Sequence, residues 1–143
     1  MLVPRIAILG AAAVTVSCAA QPSTQGGQYL QFTHPIHEVV VHQTNMVDSA
    51  RCRTFLAGAQ RSSTWPAACS TKSASPTLPY RLILKSLTSA TLLEVETATP
   101  ELCAADEQSQ GFEVIAPCTR KVGVVSPLES GALVKGDKIE KPQ

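Results

Sequence analysis

The chain has 143 residues, with 12 basic and 11 acidic side chains and a content of 44% hydrophobic but only 4% aromatic residues. That length fits one domain. The near-neutral charge argues against a nucleic-acid binder, which carries a basic excess, and against docking on an acidic lipid surface through a polybasic patch. Mean hydropathy is +0.09, yet no internal run reaches the ~18 apolar residues of a membrane-spanning helix.

Residues 1–20 have the layout of an export signal. One positive charge, Arg5, precedes the apolar run 6–16, and the small residues Ser17, Cys18, Ala19 and Ala20 follow. Gly10 weakens the run as a structural helix, and Pro22 and Gly26-Gly27 come soon after. The quartet Thr15-Val16-Ser17-Cys18 resembles a bacterial lipobox, in which a cysteine behind a small residue is lipidated and becomes the first residue of the mature chain. The resemblance covers residues 1–18. It implies a signal peptide over residues 1–17, a palmitate-bearing lipid on Cys18, and anchorage to an inner or outer membrane, facing the periplasm or the exterior. Cleavage after Ala20, giving a secreted chain without lipid, is the alternative reading.

Five cysteines are present. Setting Cys18 aside leaves Cys52, Cys69, Cys103 and Cys118, an even set that reads as disulfides in an exported chain. Three connectivities exist for four cysteines. Nearest-neighbour pairing, Cys52 with Cys69 and Cys103 with Cys118, closes the shortest loops and is the expected one. A structural zinc site uses cysteine pairs about two to four residues apart. The gaps here are 17, 34 and 15 residues, so no zinc is expected.

Residues 18–35, rich in Gln, Ser, Thr, Gly and Pro, read as a flexible tether, in which Tyr29, Leu30 and Phe32 could begin an edge strand. Val39-Val40-Val41 marks a strand over 36–43. Asn45 as N-cap, with Asp48 three residues on, predicts a helix over 46–61. Its Cys52, Phe55, Leu56 and Ala59 fall on one face, and Trp65-Pro66 bars continuation. Residues 70–79 read as a loop. Residues 80–87 and 90–97 flank Thr88-Ser89 as a β-hairpin, with a longer loop as the alternative to that poor two-residue turn. The expected register sets Leu84 against Leu93, Leu82 against Val95 and Tyr80 against Thr97 on an apolar face. Ile83 opposite Glu94 and Arg81 opposite Glu96 form a charge-paired, solvated face. Thr99 and Pro100 predict a short helix over 100–107 containing Cys103. Strands are expected over 112–115 and 121–125, and residues 126–143 read as a polar tail.

Candidate chemistry is sparse. His34, His37 and His42 invite a metal reading, since imidazole suits zinc, copper and nickel. On an extended strand, however, residues 37 and 42 point to opposite faces, and solvated histidines are expected. Glu94 and Glu96, roughly 6–7 Å apart along a strand, match a spacing used in glycoside hydrolysis. An exposed hairpin face supplies neither the cleft nor the raised pKa that such catalysis needs. There is no Gly-x-Ser-x-Gly elbow and no phosphate-cradling glycine loop.

The expectation is a small α+β single domain over 36–125, one main helix packed on an antiparallel sheet, with two disulfides supplementing a thin core. The expected function is a non-enzymatic, lipid-anchored cell-envelope protein without cofactor. It would be held to the membrane at Cys18 and would bind a protein partner in the envelope. A secreted disulfide-stapled inhibitor or binding module, and a histidine-dependent metal-binding protein, are the alternatives.

Overall fold

A computed structural model describes residues 28–130. The leader, Cys18 and the chain after Ser130 lie outside the described residues. Chain order is β1 (Tyr29–Thr33), β2 (Val40–Asn45), α1 (Ser49–Ser62), β3 (Ala67–Ser70), a single 3-10 turn (Ser75–Thr77), β4 (Tyr80–Ser86), β5 (Leu92–Thr97), α2 (Pro100–Glu107) and β6 (Phe112–Arg120). The strands form one six-stranded antiparallel sheet in the order β3-β1-β2-β5-β4-β6. Both helices lie on the same face. One row of cross-strand partners runs Cys69, Leu30, Thr44, Val95, Leu82. At one end of this row α1 packs Cys52 against Leu30, and at the other α2 packs Cys103 against Leu82 and Val95. The domain is α+β, as expected, and its disulfides join Cys52 to Cys69 and Cys103 to Cys118.

The strand order contains a repeat. β1-β2-α1-β3 and β4-β5-α2-β6 are two ββαβ units, and in each the last strand returns beside the first. Each unit closes with a disulfide from its helix to its last strand. The N-caps Asp48 and Thr99 each accept from the backbone N–H three residues on, and the helical cysteine follows one residue later. Tyr29, Asp48 and Cys52 have counterparts 51 residues on, at Tyr80, Thr99 and Cys103. The units meet where β2 pairs with β5, at His42–Thr97, Gln43–Glu96 and Thr44–Val95.

The hairpin register is the expected one at all five predicted pairs. Thr-Ser cannot supply the positive φ angles of a two-residue turn. The strands therefore end at Lys85–Leu92, and the intervening loop turns through Ala90 at φ 56°. α2 has the predicted bounds, cap and first-turn proline.

Several expectations are corrected. Tyr29–Thr33, placed in the tether and read as the start of an edge strand, is an interior strand between β3 and β2. The alternation of buried Leu30 and half-buried Phe32 with Tyr29 and Gln31 explains this. The long helix begins at Ser49, not residue 46, and Asp48 rather than Asn45 is its cap. Met46 is still held to the sheet, donating its N–H to Gln28 O at 2.8 Å, and Val47 turns the chain at φ 68°. Phe55 is 40% exposed, so the inward stripe of α1 is Cys52, Leu56 and Ala59. The last strand runs on through Pro117 to Arg120, and 121–125 is a turn through Gly123. An edge strand tolerates proline because one of its sides makes no ladder bonds. The polar tail starts inside the domain: Ser126 is buried and Leu128 packs on the cluster of Val41, Leu78 and Ala98.

Each disulfide closes a short loop, of 17 and 15 residues. Loops of that size stabilise by about 3 kcal/mol in the chain-entropy account. A Cys52→Ala/Cys69→Ala double variant should therefore lose about 3 kcal/mol in urea unfolding. An unchanged midpoint at unchanged slope would show that the bridge constrains nothing.

Candidate functional site

The helices sit over different units. α1 packs on β1 and β3, α2 on β4, β5 and β6, and a cleft of about 350 Å³ lies between them. One wall comes from the end of α1 and the segment after it: Ser62, Ser63 and Trp65. The other is α2: Leu102, Ala105 and Asp106. Phe32 of β1 and His42 of β2 form the floor. Most of this lining is apolar, and the volume falls in the range of small-ligand sites. His42 Nε2 and Asp106 Oδ2 are 2.7 Å apart, an interaction that crosses from one unit to the other. The Phe32 ring meets the His42 ring edge-on at 5.5 Å between centroids.

A serine, a histidine and an aspartate around one cleft raise the question of nucleophilic catalysis. The hydrogen bonds answer it. Ser62 Oγ donates to Gly58 O, and Ser63 Oγ accepts from Trp65 N–H. Neither hydroxyl bonds to His42, whose Nδ1 is buried and makes no hydrogen bond among the described residues. A nucleophile needs its base within hydrogen-bond reach, and the serine hydroxyls serve the end of a helix instead. The Asp106 carboxylate, paired with His42 and partly open to solvent, is a charged group in an otherwise largely apolar cleft.

The three histidines do not converge. The His34 ring is buried, not solvated, and its Nδ1 accepts the N–H groups of Ile36 and His37, both at 3.2 Å. It meets the His37 ring at a tilt, 4.6 Å between centroids, and Trp65 edge-on at 5.2 Å. His42 is committed to Asp106. No group of three His, Cys, Asp or Glu side chains among the described residues has the arrangement of a metal site. The sequence-predicted site cysteines Cys52, Cys69, Cys103 and Cys118 are where the pairing placed them, and Cys18 lies outside the described residues.

The carboxylates of β5 have separate roles. Arg81 pairs with Glu94 at 3.0 Å, not with its cross-strand neighbour Glu96. Glu96 is 4% exposed, so this part of the expected solvated face is covered. It accepts from Ser75 Oγ at 2.9 Å, Lys121 Nζ at 3.1 Å and Gln43 Nε2 at 3.3 Å. Gln43 in turn accepts from Gln31 and from Ala74 N–H. The segment from Ser73 to Ser75 thus lies over the open face of the sheet, and Glu96 is the polar centre it covers. A buried carboxylate with its acceptor positions filled is a structural group.

None of the cleft residues except His42 stood out in the sequence. Trp65 had marked only a helix end, and Asp106 only a short helix. Comparison with known protein families, with characterised proteins and with solved structures found no match.

The two ion pairs should respond differently to loss of a partner. Glu96→Ala strands Lys121 and two other hydrogen-bond donors, Ser75 Oγ and Gln43 Nε2, and should cost about 2–3 kcal/mol. Arg81→Ala removes a half-exposed pair and should cost under about 1 kcal/mol. Equal losses in denaturant titration would remove the distinction between a buried centre and a surface pair.

Proposed function

We propose that the protein is a non-enzymatic, lipid-anchored cell-envelope protein that binds a protein partner of the envelope through the cleft between its helices. One observation carries the anchoring part of this reading: the two disulfides consume Cys52, Cys69, Cys103 and Cys118, leaving Cys18 as the odd cysteine. Disulfides of this kind belong to oxidising compartments, and Cys18 closes the lipobox-like Thr15-Val16-Ser17-Cys18. The binding part is supported by a cleft with apolar walls and the Asp106–His42 pair, in which both serine hydroxyls serve the backbone. A rigid body stapled at both ends presents such a cleft with little ordering cost on binding. The secreted binding module remains the second reading, on the strength of Ala19-Ala20 as a cleavage site. It would use the same cleft without the lipid.

Metabolic labelling with palmitate tests the anchor. Label is expected on the wild type and lost in Cys18→Ser, and an unmodified mature N-terminus at Gln21 would decide for secretion. A photo-cross-linking residue tests the cleft: placed at Ala105, on its wall, it should yield a partner adduct in intact cells. The same residue at Thr88, in the hairpin loop, should yield none. Adducts of equal yield from both positions, or none from Ala105, would remove the cleft from the proposal.

A further inference from the structure

The two helices that frame the cleft carry opposite charge. α1 holds three arginines and no acid, whereas α2 holds Glu101, Asp106 and Glu107 and no Lys or Arg. The two halves of the domain repeat the bias. Residues 28–73 carry Arg51, Arg53, Arg61 and Lys72 against Glu38 and Asp48, and residues 74–130 carry seven carboxylates against four cations. Inside the cleft the balance is one-sided. Asp106 is its one acid, and no Lys or Arg is among its lining residues. Arg61, one residue before Ser62, is exposed, and the 3.6-residue repeat turns it about 100° away from Ser62. Arg51 lies about 16 Å further back along the helix.

Asp106 stands where a carboxylate gains least from its own helix. It is in the last turn of α2, at the negative pole of the helix dipole, which favours a cation. Its neighbour Glu107 has a structural task there, accepting the backbone N–H of Cys118 at 2.6 Å. Asp106 has only His42: Oδ2 meets Nε2 at 2.7 Å, and Oδ1 has no hydrogen-bond partner among the described residues. A neutral imidazole with its proton on Nε2 donates to Oδ2 and leaves the charge of the carboxylate uncancelled. Since the buried Nδ1 has no acceptor among the described residues, this is the form that strands no N–H. The cleft thus holds one net negative charge, partly exposed, beside the apolar surface of Phe32, Trp65 and Leu102.

We propose that the cleft takes a lysine or arginine side chain of the partner protein, its methylene stem along Phe32, Trp65 and Leu102 and its cationic head on Asp106 Oδ1. The proposal rests on the reading of the cleft as the partner site. Lys and Arg join a long apolar stem to a terminal charge, and they settle with the stem on apolar surface and the head toward water. The cleft presents its own groups in that order. Its volume of about 350 Å³ is at the low end for ligand pockets, with room for a side chain and not for a helix. The bound cation also completes the last turn of α2, where no basic residue stands.

Trp65 is the only tryptophan of the chain, so its indole N–H gives a single resonance that reports on the cleft. The test is an NMR titration of the isotope-labelled protein with the N-acetyl methylamides of lysine, arginine and norleucine, the last having the stem without the charge. The lysine and arginine probes should shift the Trp65 resonance at concentrations at least about tenfold lower than norleucine, and that advantage should fade in high salt. Asp106→Asn, which keeps an acceptor for His42 Nε2–H, should reduce the lysine probe to the norleucine level and leave norleucine unchanged. Equal affinity of lysine and norleucine for the wild type, no shift with any probe, or an undiminished lysine response in Asp106→Asn would overturn the proposal. The wild-type series decides by itself if the variant does not fold. In cells, the cross-linker at Ala105 separates the two readings. An adduct of undiminished yield in an Asp106→Lys background keeps the cleft as the partner site and overturns the basic side chain; loss of the adduct there is the expected result. No adduct in the wild-type background removes the partner site, whatever the probes show.

Discussion

Three residue pairs hold the two halves of the sheet together. β2 and β5 are paired only at His42–Thr97, Gln43–Glu96 and Thr44–Val95, a shorter ladder than either hairpin inside the units. A seam that short is marginal by itself. What secures it is visible on both faces. On the helix face, His42 of the first unit reaches Asp106 of the second; on the other, Gln43 reaches Glu96. At the end of the seam Val41 and Trp65 pack with Ala98 and Leu102 in one apolar cluster. The cleft is a consequence of the same arrangement: each helix covers its own unit, and the seam between them is left with His42 and Phe32 as its floor.

The disulfides act at the opposite places, the two margins of the sheet. β3 and β6 are the edge strands, and each is bonded to the helix above it. Edges open first because half their backbone groups have no strand partner. β3 has only four residues and pairs only with β1, so its hold on the sheet is the weaker of the two. The bond to Cys52, at the fully buried fourth position of α1, ties this short strand to the core cluster of Leu30 and Met46. The covalent links therefore support the margins and the polar bridges support the centre.

What was legible in the sequence is what local pattern determines. The alternation of 80–87 and 90–97 specified the β4–β5 register, because a slip of one residue would turn Leu82, Leu84, Leu93 and Val95 to the solvent. Thr99-Pro100 specified the start of α2 through cap chemistry, and short-loop closure specified the cysteine pairing. The losses have physical reasons as well. Ala67–Ser70 lacks the β-branched and aromatic residues of a strand, since its place is secured by a disulfide and by β1. Tyr29–Thr33 does alternate, but polar and glycine-rich neighbours masked a strand whose partners lie far along the chain. The repeat left one trace, the matching distances from Tyr29 to Cys52 and from Tyr80 to Cys103. The side chains around that spacing have diverged too far to show it. The cleft was illegible because Phe32, His42, Trp65 and Asp106 meet only once both units have formed.

Net charge misleads for a related reason. It is a sum over the chain, whereas a surface responds to how charge is distributed. In a fold whose strands interleave, charges from distant stretches mix, and a neutral total implies a roughly neutral surface. Here the sheet order keeps residues 28–73 on one side of the seam and 74–130 on the other, so an asymmetry along the sequence becomes an asymmetry in space. The carboxylates gather around α2, β5 and β6, where three cations are already committed to ion pairs. On α1, Arg53 and Arg61 are exposed and Arg51 is half-buried, and none of the three is in an ion pair among the described residues. Removing such arginines should leave stability nearly unchanged, so stability does not account for an acid-free, arginine-bearing helix.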